Sequence, residues 1–121
     1  MTTTVISKYR GSKEYSLVYC ELITAARSRQ TVTYERVAEL MGLPPRGHYM
    51  GAEVGHLLGE ISEDEHHNGR PMLSAIAVSV MTGMPGDGFF KLARSLGKLG
   101  ASDSEREFWE KERDAVYATW K

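Results

Sequence analysis

A mostly helical α+β domain organised around a helix-turn-helix is the architecture this 121-residue sequence predicts, on three observations. Two short helical patterns, Thr31 to Leu43 and Met50 to Ile61, flank a break at Pro44 and Pro45. The stretch from Pro71 mixes small and β-branched residues and reads as a strand buried on at least one face. Ser104-Glu-Arg-Glu matches the capping box that opens a helix, and an aromatic side follows it.

The elements follow in order. After a start expected to fray, Ser12 can cap a helix running to about Ser28, with Tyr15, Val18, Tyr19, Leu22 and Ala26 on one face. Thr33 is the N-cap of the next helix, which carries Glu35 in its first turn and Val37, Ala38, Leu40 and Met41 at helical spacing. Gly42 supplies its stop. The second helix of such a pair is the one that enters a DNA groove. Ile61 to Gly69 is polar and without period, and is expected to be a surface loop. The strand from Pro71 to Val80 gives way to a dense turn, Thr82 to Gly88, and then to a short helix from Phe89 that stops at Gly97. Phe108, Trp109, Val116, Tyr117 and Trp120 give the last helix its aromatic side. The expectation is one domain over residues 1–121, winged-helix-like, with its core at about 12–98 and an added C-terminal helix at about 103–120.

Composition bounds the function classes. With 41% hydrophobic and 26% charged residues the chain is ordinary for a soluble globular protein. No signal-peptide pattern and no bilayer-length apolar run is seen, so the expected setting is cytoplasmic, without membrane contact. A single cysteine, Cys20, excludes an internal disulfide framework and a multi-cysteine zinc site. Among apolar helix positions, it is expected to act as a small core residue. A net charge of -1 and a pI near 6.4 weigh against a surface that grips phosphate everywhere. The charge is uneven, however. Up to His48, seven cations face four anions, a balance of +3, whereas from Tyr49 to Arg70 five anions face only Arg70, a balance of -4.

From Tyr15 to about Leu96 the element order resembles the C-terminal domain of the alkylguanine-DNA alkyltransferases and their inactive relatives, the alkyltransferase-like proteins. Four segments carry the likeness: Val32-Thr-Tyr-Glu-Arg-Val-Ala, Val54-Gly-His-Leu-Leu, Arg70-Pro-Met-Leu-Ser-Ala-Ile-Ala-Val and Gly86-Asp-Gly-Phe. The resemblance implies a helix pair that binds the minor groove and everts a damaged base. In the active members an alkyl group passes to a cysteine. Here the family's Pro-Cys-His-Arg reads Pro71-Met72-Leu73-Ser74, so acceptor and activating histidine are both missing, and without a thiolate there is no nucleophile. The arginine that the family inserts into the base stack falls near Ala52. Tyr34 matches a family tyrosine near the target phosphate. From Gly69 onward the sequence also looks like that of uncharacterised bacterial or phage proteins.

Candidate DNA-binding residues are Tyr34, Arg36, Arg46, His48, Tyr49, Gly51 and Gly55. The first five lie at the starts of the two helices, where side chains and free backbone N–H groups can meet phosphate, and Arg46 leads them. Gly51, Gly55 and Gly59 fall four apart and present bare backbone along one helical face. Since each glycine costs a helix roughly 1 kcal/mol relative to alanine, the pattern calls for a close approach. A DNA backbone or partner helix would satisfy it, but tight packing against the first helix or the strand is the expected reading.

His66 and His67, with Glu63, Asp64 and Glu65, lack the helix-borne spacing of a metal site and are read as a solvated acidic loop. Gly83-Met-Pro-Gly-Asp-Gly lacks the ending of a phosphate-binding P-loop and reads as a connection, with Asp87 bonding the turn or capping the next helix. No catalytic residues, metal or cofactor are assigned. The leading expectation is therefore a small non-enzymatic protein that binds duplex DNA, or the DNA-facing component of a larger assembly. The alternative is a protein-interaction or adaptor domain using the acidic loop and the last helix, with a partner or second copy held through Trp109, Val116, Tyr117 and Trp120. An enzyme using Glu53 or His66 is the third class, for which no paired nucleophile and base can be seen.

Overall fold

The computed structural model describes residues 5–121. Its elements are helix α1 (Lys13–Arg27), strand β1 (Val32–Thr33), helices α2 (Tyr34–Met41) and α3 (His48–His67), a 3-10 turn (Leu73–Ile76), strand β2 (Ala77–Val78), and helices α4 (Asp87–Ser95) and α5 (Glu105–Thr119). The architecture is mostly helical with one small parallel sheet, in which Val32 pairs with Ala77 and Thr33 with Val78.

The helix boundaries fall where local chemistry puts them. Ser12 accepts the Tyr15 amide, Thr33 accepts the Arg36 amide and Ser104 accepts the Glu107 amide, each satisfying a donor that the first turn leaves unpaired. Gly42 ends α2 in the left-handed conformation, at φ 74°, that a side chain disfavours. Val18, Leu22 and Ala26 turn inward from α1, Val37, Ala38 and Met41 from α2, and Val54, Leu57, Leu58 and Ile61 from α3. Met72, just before the 3-10 turn, and Leu73 and Ile76 within it are fully buried among them.

Three expectations are corrected. The stretch expected as a long strand from Pro71 to Val80 is chiefly the 3-10 turn, with only Ala77 and Val78 in the sheet. That sheet's partner is itself two residues long, so the ladder has nowhere to extend. Cys20 lies on the solvent side of α1, not in the core. The polar run after Ile61 is no surface loop: α3 continues through it to His67, and Glu60, Glu63 and Glu65 are at most 1% exposed.

Partners from distant parts of the chain make that burial tolerable, because a buried carboxylate needs hydrogen bonds and opposite charge. Glu60 accepts the backbone amides of Lys8, Tyr9 and Arg10 at 3.0–3.1 Å. Glu63 accepts the Val5 amide at 3.2 Å and Arg10 Nη2 at 2.9 Å. Asp64 takes Arg10 Nε at 2.9 Å and the Tyr15 hydroxyl at 2.6 Å. Glu65 takes Arg70 at 2.6 Å and the Tyr19 hydroxyl at 3.2 Å. The start expected to fray is thus fastened to α3 from Val5 onward, while residues 1–4 lie outside the described residues.

The last helix closes the other side. Trp109 Nε1 donates to the Ala75 carbonyl at 2.8 Å, and Glu112 accepts the Met72 amide at 2.8 Å and an ion pair from Lys98. Trp109, Val116 and Tyr117, expected to hold a partner or second copy, are core residues, and Trp120 is half-buried, so the aromatic side packs mainly inward.

Candidate nucleic-acid interface

The α2–α3 corner keeps an open edge. Pro44, Pro45, Arg46, Gly47, His48 and Tyr49 are all exposed, with Tyr49 at 65%. Gly47 precedes α3 at φ 99°, and no side chain caps this helix. The first backbone bond of α3 runs from the Gly51 amide to the Gly47 carbonyl at 3.1 Å, so the amides of His48, Tyr49 and Met50 come before the ladder starts. No acidic residue stands in the first turn. A twenty-residue helix with an uncapped amino end presents partial positive charge there.

The α3 glycines behave differently from the packing expectation. A Cβ built on Gly51 or Gly55 meets no atom within 4 Å, and both residues are exposed. At Gly59 the contacts are ordinary ones, 3.8 Å to Val5 and 4.0 Å to Leu92. Gly51 and Gly55 therefore leave open space above the helix, and no neighbouring element packs there.

Two predicted residues are engaged internally. Tyr34 is half-buried, its hydroxyl accepting the Gly86 amide at 2.7 Å. Burial raises the pKa of that hydroxyl above its ordinary value, and the Gly86 amide pulls the other way. Arg36 is paired with Glu21 at 3.0 Å and with Glu39, and these carboxylates, Glu21 first, raise its pKa. Its charge is largely answered before any phosphate arrives. Arg46, His48, Tyr49, Gly51 and Gly55 remain on the edge.

Behind the edge lies a cleft of about 350 Å³ between α2, α3 and the start of α4. Met50, Val54, Leu58, Phe89 and Leu92 make its apolar wall, and Gly51, Gly55 and Gly59 form the α3 side. Tyr34, Glu35, Ser74, Ser79 and Asp87 supply the polar groups. Glu35 Oε1 is buried without a hydrogen-bond partner, a condition that costs roughly 1–3 kcal/mol in a folded protein. Sequence reasoning gave Glu35 only a first-turn electrostatic role, because the cleft is assembled from segments up to 57 residues away, at Leu92. Asp87 is the first residue of α4 and makes no capping bond; Gly86 holds the cap position.

Other candidates resolve into structural contacts. Glu53 on α3 takes the Tyr9 hydroxyl and the Lys8 ammonium, the latter at 2.6 Å. His56 Nε2 lies 2.7 Å from the Ile6 carbonyl. His66 and His67 end α3, and among the described residues no three His, Cys, Asp or Glu side chains gather as a metal site. Ser74 is paired with Ser62 at 2.6 Å. Among the described residues no helix is long and apolar enough to cross a membrane. Compared with family models, curated proteins and solved structures, the chain matches none of them.

Proposed function

We propose that this chain is a small non-enzymatic DNA-binding domain of winged-helix-like, alkyltransferase-like type, meeting duplex DNA with the loop before α3 and the first two turns of that helix. The observation that carries the reading is the open amino end of α3: an uncapped Gly47, free first-turn amides, and bare backbone at Gly51 and Gly55. Arg46 adds a cation beside it, and His48 and Tyr49 offer exposed rings. Backbone amides at a helix start bind phosphate oxygens without needing a strongly basic protein. That accommodates a net charge of -1.

Affinity is then modest. With two or three phosphates neutralised, log K falls with log salt at a slope of about -2 to -3. Fluorescence anisotropy with short labelled duplexes at low salt tests the reading. The wild type is expected to bind, and Arg46→Ala to bind more weakly with a salt slope smaller by about 1. Absence of binding into the high-micromolar range, or equal binding by Arg46→Ala, overturns it.

A further inference from the structure

We infer that the cleft behind α3 binds a small planar organic cation, an amidinium or guanidinium group carried on a flat hydrocarbon body. Its volume, about 350 Å³, falls within the range of roughly 300–1,000 Å³ usual for small-molecule sites. One side is apolar, formed by Met50, Leu58, Phe89 and Leu92. The α3 side is paved by glycines whose missing side chains leave space for a flat ring to lie against backbone.

Charge selects the occupant. Glu35 and Asp87 both line the cleft, and no lysine, arginine or histidine does. An anion entering would face two carboxylates with no cation to answer it. Glu35 also holds an acceptor, Oε1, that is buried and unpartnered. That oxygen is closed off from the open cleft, so an occupant is selected by the combined negative charge of Glu35 and Asp87, which a planar cation with several N–H donors answers in a charge-assisted way. The cleft shares Gly51 and Gly55 with the phosphate-facing edge, but a cation is held by Glu35 and Asp87, so its binding is measured without any duplex.

Benzamidine is the probe, with benzoate and benzamide as controls of the same shape carrying negative and no charge. Titrations of the full chain, followed by amide ¹H–¹⁵N spectra, are expected to give saturable benzamidine shifts at Gly51, Gly55, Gly86 and Gly88. Benzoate is expected to produce none and benzamide weak ones. Glu35→Gln should weaken benzamidine at least about tenfold, and Gly55→Leu should block the cleft by volume. Equal shifts with benzamidine and benzoate on the wild type overturn the proposal without any variant. So does an absence of saturable shifts up to about 10 mM benzamidine, the regime of fragment affinities. Undiminished binding by a folded Glu35→Gln, checked by its unperturbed amide spectrum elsewhere, overturns it too. None of these measurements contains DNA, so this result and the duplex titration fail independently.

Discussion

The Tyr34 hydroxyl accepts the Gly86 amide at 2.7 Å, joining the first residue of α2 to the residue before α4 across 52 positions of sequence. Both residues line the cleft, so this hydrogen bond ties two of its walls together. A Cβ on Gly86 would lie 3.7 Å from that oxygen, an ordinary contact.

Tyr34→Phe keeps the ring and removes the acceptor. The expected loss is about 1 kcal/mol, read as a fall of about 3–5 °C in the thermal midpoint for a chain of this size. Circular dichroism melts measure it. A midpoint equal to wild type would show that the bond contributes nothing net and that the ring alone positions α4.

Gly55→Ala separates two roles of the glycine face. The position is exposed, helical and free of neighbours, so alanine is expected to leave stability unchanged or raise it by up to about 1 kcal/mol. Duplex affinity is expected to fall, since the methyl group projects from the surface offered to the backbone. A lower urea midpoint would mean that the glycine serves packing after all.

Acid titration probes the Glu53 contact with the amino-terminal segment. The Lys8 ammonium, and after it the Tyr9 hydroxyl, hold the Glu53 carboxyl below its ordinary value of 4.5. A carboxyl depressed in the folded state adds stability above its unfolded pKa and loses it as pH falls through the folded value. Wild-type stability is therefore expected to decline on the acid side of pH 4.5. Glu53→Gln, which cannot titrate, should lower stability at neutral pH and flatten that acid limb. Urea midpoints across the two pH regions test this, and parallel acid limbs in both proteins would refute the linkage.

Much of the helical scaffold is legible in the sequence because its signals are local. Ser12, Thr33 and Ser104 cap helices through side chains reaching amides three residues on, and Gly42 ends α2 by its own φ. The inward faces of α1 and α2 follow from spacing, since residues three and four apart share a side of a helix. The exposed edge at Arg46, His48 and Tyr49 was legible for the same reason: two prolines and a glycine mark a corner, and corners face water.

Tertiary structure alone decided the rest. Residues 61–67 look like a solvated loop when their glutamates are counted by themselves, and they stand as helix where Arg10, Arg70 and the Val5 amide answer those charges. Gly55 looks like a packing glycine until the absence of a neighbour is visible. Glu35 becomes a cleft residue only when α4 is set against α2 and α3. Caps, stops and amphipathic spacing act within a few residues and can be read along the chain. The cost of burying a charge or baring a backbone depends on which distant segments stand beside it, and that is fixed only when the chain has closed on itself.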